Sequence, residues 1–431
     1  MGDMDVDMAS EEDTLAARAE RLAALAETRP AEAISGYRAL VLGAEGNDAE
    51  GVKVKEGAVS AMAKLLAKQG EAGALSALLK ELRPLFATIP KAKTAKIVRN
   101  IIDTVATVPN TTQLQLDLCK EQVEWTRAEK RTFLRHRVET RLGALYLETK
   151  DYASALSLLS SLLLEVKRLD DKLLLVDIHL LESRVHHALR NMPKAKAALT
   201  AGRTAANAIY VPPAVQAQID MQSGTLHAEE KDYKTAYSYF FEAFEQLNNL
   251  EDPAAVQPLK YMLLCKVMVG ASEDVAGIIN AKAGLKYPGP QMDAMKAVAE
   301  ACIKRNLKML EETLRSYEEH LGRDAIVANH LTLLQGDLLE QNLVRLIEPY
   351  SCVEIAHVAA QIELPVATVE RKLSQMILDK KFAGILDQGN GCLNVFDDTA
   401  ADLIYPPTLE TIKGMDRVVD SLMTKSRRIV A

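Results

Sequence analysis

Histidine, cysteine and clustered basic side chains are where this chain could carry chemistry. His186 and His187 are adjacent. One helical residue is about 100° of rotation, so the two imidazoles point to different faces and cannot share a metal ion. No H-E-x-x-H accompanies them, and no H-x-H of the kind that holds zinc in an isopeptidase. The five cysteines, Cys119, Cys265, Cys302, Cys352 and Cys392, are scattered without a C-x-x-C pair. That spacing predicts reduced thiols in a cytosolic or nuclear chain, not a disulfide framework. A phosphate-cradling G-x-x-x-x-G-K-[ST] loop is absent, and so is a G-x-S-x-G nucleophile elbow. The residues therefore predict no enzyme, no metal and no cofactor.

What remains is suited to contact. Lys91, Lys93, Lys96 and Arg99 form one basic run, and Arg127, Lys130, Arg131, Arg135, Arg137 and Arg141 a second. Such runs are ordinarily solvated faces, but on an acidic chain they are also candidate docking patches. An apolar stripe lies near the C-terminus. Ile412, Met415, Val419, Leu422 and Ile429 fall at three- and four-residue steps, with Ser426 in the remaining place. That is the a/d seam of a coiled coil or helix bundle. The competing reading is a stripe that folds back on its own domain.

The elements that position these residues read as helices. The chain has 431 residues, 48% of them hydrophobic, and a net charge of −7. This balance excludes wholesale disorder and argues against a general nucleic-acid binder. No apolar stretch approaches the length of a membrane span. The start, MGDMDVDMAS, has no basic region or apolar core of a secretory signal, and Val6 breaks the myristoylation pattern. Ala, Leu, Glu and Lys dominate, and strand-like runs are scarce before about residue 380.

A repeat stands in the middle. Gly143-Ala144-Leu145-Tyr146, Lys150-Asp151-Tyr152 and Ala155 recur as Gly224-Thr225-Leu226-His227, Lys231-Asp232-Tyr233 and Ala236. Between them stand Ser183-Arg184-Val185-His186, Asn191-Met192-Pro193 and Ala195, so the spacings are 40 and 41 residues. A small residue lets two antiparallel helices approach, a polar turn follows, and a second small residue sits at the crossing. Such pairs cannot bury their apolar faces alone and stack into a solenoid like that of tetratricopeptide repeats. Further pairs are expected upstream, from residue 14 to 130, and downstream as far as Gly322.

The character changes after about residue 350. Val353–Gln361 and Val366–Asp379 read as helices broken by Leu364-Pro365. Phe382–Leu386 and Cys392–Phe396 read as a hairpin across Asp387-Gln388-Gly389-Asn390-Gly391. Helix, turn, helix, hairpin is the order of a winged helix. From Arg323 to Asp387 there are six basic and nine acidic residues. Phosphate neutralisation dominates DNA affinity, so protein contact is the better use of this module. Open hairpin edges can pair with a strand of another chain. Pro406-Pro407 is expected to separate a final helix, Thr408–Arg428.

A helical array followed by a winged helix resembles the PCI family, the scaffold subunits shared by the proteasome lid, the COP9 signalosome and an initiation-factor complex. The blocks AEKRTFLRHRVETRLGALYLETKDY (128–152), KAKAALTAGRTAANAIYVPP (194–213), KDYKTAYSYFFEAFE (231–245), LKYMLLCK (259–266), LLEQNLVRLIEPYS (338–351) and VERKLSQMILDKKFAGILDQG (369–389) look like the proteasome-lid branch. The similar signalosome subunit is the alternative, disfavoured by KRTFLR and KLSQMILDKKFAGILDQG. The resemblance runs from about residue 50 to the end. It implies an all-α chain: a flexible acidic segment 1–13, a right-handed superhelical solenoid of TPR-like pairs over 14–322, a PCI winged-helix module over 323–397, a linker over 398–407 and a bundle helix over 408–428. It implies a non-catalytic scaffold of the cytoplasm and nucleus, a hetero-oligomer with other PCI subunits, a core-particle α-ring subunit and an ATPase-ring subunit. Neither nucleic acid nor membrane is an expected partner. On this reading the seam Ile412, Met415, Val419, Leu422 and Ile429 enters the lid bundle, and Lys91, Lys93, Lys96 and Arg99 dock on the core.

Overall fold

The structure, a computed structural model, describes residues 15–43, 49–83, 86, 89–109, 111–322, 324–396 and 404–430. The expected N-terminal segment 1–13 and most of the expected linker lie outside those residues. Two compact units make up the chain, Met1–Cys265 and Lys266–Ala431.

The first unit is a succession of helices. They are α1 (Leu15–Thr28), α2 (Pro30–Leu42), α3 (Ala49–Gln69), α4 (Ala72–Glu81), α5 (Lys91–Ala106), α6 (Thr112–Ala128), α7 (Thr132–Glu148), α8 (Tyr152–Leu169), α9 (Lys172–Ala188), α10 (Met192–Asn207), α11 (Pro213–Glu229) and α12 (Tyr233–Asn249). The division between the units falls within α13 (Val256–Val269). The repeat read from the sequence is the pairing α7–α8, α9–α10 and α11–α12. The first helices of successive pairs, α7, α9 and α11, also pack on one another.

Local chemistry explains the repeated turn. Lys150, Arg190 and Lys231 adopt left-handed backbone, with φ of 63°, 56° and 67°. The next N–H then folds back onto the preceding helix: Asp151 N reaches Tyr146 O at 2.9 Å, Asn191 N reaches His186 O at 2.9 Å, and Asp232 N reaches His227 O at 3.0 Å. The same three residues cap the following helix. Their side chains accept from the backbone N–H of Ser154, Lys194 and Thr235 at 3.3, 3.4 and 3.3 Å. One dipeptide thus closes one helix and opens the next.

The small residues mark the crossings. Ala155, Ala195 and Ala236 are completely buried. A Cβ on Gly143 would lie 3.2 Å from Leu159 Cδ2, a tight contact that the glycine spares the α7–α8 crossing. Phe240, itself buried, fills the corresponding crossing of α11 and α12. Burying such a ring is worth about 1.5–3 kcal/mol. Upstream, one continuous core runs from Ala33 through Met62, Leu79 and Ile101 to Leu145.

The second unit contains α14 (Glu273–Asn280), α15 (Pro290–Ile303), α16 (Leu307–Ser316), α17 (Glu318–Leu321) and α18 (Ala325–Ile347). A winged helix follows: β1 (Cys352–Glu354), α19 (Ile355–Ile362), α20 (Val366–Leu378), β2 (Ala383–Asp387) and β3 (Cys392–Phe396). The sheet is antiparallel in the order β1-β3-β2. The expected helix from Val353 is thereby corrected. Val353 pairs with Leu393 as strand, and the helix starts only at Ile355. Its core combines Leu343 and Ile347 of α18 with Val358, Leu373, Met376 and Leu393.

The last helix, α21, spans Tyr405–Val430. Pro406 and Pro407 do not precede it, as expected, but occupy its first turn. A first-turn N–H has no intrahelical acceptor, so proline loses nothing there.

Candidate interaction surfaces

The residues that suggested chemistry are used structurally. His186 is buried in α9, while His187 Nε2 faces Glu229 Oε1 of α11 at 3.6 Å. Among the described residues no group of His, Cys, Asp and Glu is arranged to hold a metal ion. Burial pushes the Cys119 thiol up to about 11 and Cys265 to about 12, so both are neutral at physiological pH. No described helix is long and apolar enough to cross a membrane.

The second basic run divides in two. Arg131 stacks over Trp125 at 5.0 Å and donates to Phe86 O at 3.1 Å and Glu129 Oε2 at 2.9 Å. Arg135 pairs with Glu139 and with Glu165 of α8, where Glu165 also meets His136 Nε2 at 3.0 Å. Arg127 lies 3.7 Å from Glu139. These three brace α6, α7 and α8 together. Arg137 and Arg141 behave differently and line a groove of about 360 Å³.

The first basic run lies on α5. At about 100° per residue Lys91, Lys93, Lys96 and Arg99 spread over roughly 200° of the helix, wider than one face. Lys96 Nζ is held 2.9 Å from Glu56 Oε1 of α3. Arg99 lines the groove with Arg137 and Arg141. The four charges therefore do not converge.

In the winged helix, α20 would be the recognition helix of a DNA reader. Lys372 Nζ instead binds Glu340 Oε1 of α18 at 2.8 Å, and Lys381 binds the other oxygen of the same carboxylate. Burial alone would raise the Glu340 carboxyl. Hydrogen bonds from the two lysines outweigh it and hold the group below its ordinary 4.5. Two of the module's six basic residues are thus engaged within the chain by one carboxylate. Among the described residues no strand lies beside the outer edges of β1 and β2, and Ile385 of β2 is exposed.

Every side chain described along α21 is exposed. At about 1.5 Å per residue its 26 residues extend about 39 Å. Ile412, Met415, Val419, Leu422 and Ile429 are 57–84% exposed, so the stripe does not fold back on its own chain. Leu409, Val418 and Met423, equally open, widen the apolar face beyond the seam read from the sequence. A two-position heptad filter passes over such flanking residues, although a broader helical wheel includes them.

Comparison with known proteins follows the same division of the chain. The family described as the 26S proteasome regulatory subunit RPN6 N-terminal domain matches residues 15–149, reaching upstream of the expected start near residue 50. The PCI domain matches residues 314–397. The chain is 65% identical over 382 residues to the 26S proteasome non-ATPase regulatory subunit 11 homolog of Arabidopsis thaliana, covering 89% of this chain and 91% of that protein. It is 52% identical over 377 residues to the 26S proteasome non-ATPase regulatory subunit 11 of Dictyostelium discoideum, covering 87% and 91%. Against the 26S proteasome regulatory subunit RPN6 of Saccharomyces cerevisiae it is 47% identical over 341 residues, covering 78% and 79%. An array of capped helix pairs, a winged helix that matches the PCI domain, and this similarity along nearly the whole chain together show that it belongs to the family of 26S proteasome non-ATPase regulatory subunit 11, also called RPN6.

Proposed function

We propose that this chain is a non-catalytic scaffold subunit of the proteasome regulatory-particle lid, acting in ubiquitin-dependent degradation in the cytoplasm and nucleus. The observation that carries the reading is α21, a helix with an apolar face open to water along its whole described length. Such a face is stable in company, as one member of a helix bundle with other PCI subunits. The open edges of the winged-helix sheet suit lateral contact with neighbouring PCI modules. The array is the part that meets a core-particle α-ring subunit and an ATPase-ring subunit, with Lys91 and Lys93 as candidate contacts. The pairing of Lys372 and Lys381 with Glu340 supports a protein partner over nucleic acid.

The test is affinity purification through a tag on this chain from native lysate, followed by mass spectrometry and a peptidase assay. Recovery of lid, ATPase-ring and core subunits with peptidase activity is the expected result. Recovery of signalosome subunits in their place overturns the reading while leaving the fold intact.

A further inference from the structure

The arginines of the first unit fall into two populations. Arg127, Arg131 and Arg135 are paired within the chain, and Arg203 stacks on Tyr239 at 4.7 Å. Arg99, Arg137, Arg141 and Arg184 are not. Among the described residues none of these four makes a salt bridge within 4.0 Å. All four line one groove, together with only two carboxylates, Asp103 and Asp177. They come from three alternate helices, α5, α7 and α9, which turn the same side of the array toward the opening. Arg141 Nε is buried without a hydrogen-bond partner. The charge of Arg141 falls on Cys119 beneath it, a thiol whose burial keeps it neutral. Burial also pulls Arg184 below the ordinary arginine value, with Asp177 opposing, so a further anion beside it would relieve that penalty. An unsatisfied buried donor and a surplus of guanidiniums are costly in a free protein and favourable once an anion arrives.

The floor of the groove is apolar. Ile102, Val138, Leu174 and Leu180 are buried beneath the arginines, and Leu173 is exposed at the rim. A volume of about 360 Å³ holds several side chains, more than one inorganic anion needs. Asp103 and Asp177 would repel an unbroken phosphate backbone, whereas a peptide can place apolar residues opposite them. We propose that this groove binds an acidic segment of a partner polypeptide, in extended form, with carboxylates on Arg137, Arg141 and Arg184 and alternating apolar side chains on the floor. The proposal does not depend on which assembly the chain joins.

The test uses the full chain and a fluorescein-labelled twelve-residue peptide of four Asp-Leu-Gly repeats, read by fluorescence anisotropy. The controls are the same peptide with Asn for Asp and a labelled uridine dodecamer. Arg137 and Arg99 are exposed, so Arg137→Glu and Arg99→Glu leave the core untouched. Arg168→Glu on α8, outside the groove, makes the same change in net charge. Saturable binding of the Asp peptide is expected, weakened about tenfold or more by Arg137→Glu and by the Asn peptide. Arg168→Glu is expected to change it less than about twofold, with circular dichroism and melting temperature matched among the variants. Equal loss in Arg168→Glu and Arg137→Glu overturns the site, as does equal binding of the Asn peptide or no binding at all. Tighter binding of the uridine dodecamer overturns the polypeptide assignment. Residues 1–13 carry six acidic and no basic residues. If deleting them tightens peptide binding about tenfold, the occupant belongs to this chain and the partner assignment is overturned.

Discussion

Gly224 and Phe240 compete for one volume: a Cβ on Gly224 would lie 2.7 Å from Phe240 Cε1. No pair of carbons tolerates that distance, and both residues are buried between α11 and α12. The glycine is therefore there for the approach of the helices, since mid-helix glycine otherwise costs helix stability.

Gly224→Ala is expected to destabilise the first unit by about 1–3 kcal/mol, the usual range for overpacking. Urea unfolding measures it. Adding Phe240→Leu to Gly224→Ala is expected to recover part of the loss, because the ring edge is what collides. A double variant no better than the single one would show that the crossing is not set by this contact.

The interhelical turns make a second expectation. Asn191→Ala removes the side chain that accepts from Lys194 N and is expected to cost about 1 kcal/mol. Arg190→Gly relaxes a residue held at φ 56° and is expected to be neutral or stabilising, while Arg190→Ala is not. Thermal melts of the three variants check the order.

Glu340 gives the second unit a pH dependence of definite sign. Its carboxyl is lower in the folded state than the ordinary 4.5, so its contribution is full above that value. It is lost as pH falls through the lowered folded value. Glu340→Gln is expected to cost about 1–2 kcal/mol near neutrality and to flatten the acid limb of stability below the ordinary carboxyl value of 4.5. A wild-type acid limb as flat as that of the variant would remove Glu340 from the account.

Every described side chain that truncation after Tyr405 removes is exposed, and the melting of both units is expected to be unchanged. Incorporation into the lid is expected to fail. Leu422→Asp, a single change on the same open face, is expected to impair incorporation without altering the melt. Co-sedimentation with lid subunits measures both, and normal incorporation of the truncated chain would refute the bundle role of α21.

Much of this was legible in the sequence because it is written locally. Lys150-Asp151 and Lys231-Asp232 announce the turns, and Gly143 and Gly224 announce the crossings, since each acts on residues within about one repeat. The helix-hairpin order of the winged helix is legible for the same reason. Strand β1 was not: Cys352–Glu354 has three residues, and its identity comes from pairing with β3 some forty residues on. The fate of the basic runs was hidden too. Glu165 answers Arg135 and Glu56 answers Lys96 across helices that composition cannot place side by side. The groove of unpaired arginines has no linear signal, because its members lie on three helices. Cys352 and Cys392, scattered in sequence, come onto the paired strands β1 and β3 in the same way.

The left-handed turns bear on how the protein comes apart under attack. The residues at φ near 60° that join two helices include Lys130, Lys150, Arg190, Lys231 and Arg305. These five are exposed and basic. Each is a trypsin site placed between helices, yet the hydrogen bonds that close each turn keep its peptide bond out of the extended shape a protease requires. Cleavage must wait for local opening, and the opening free energy differs from joint to joint. The order in which trypsin cuts these bonds would rank the joints of the array by strength, from the most easily frayed to the most secure.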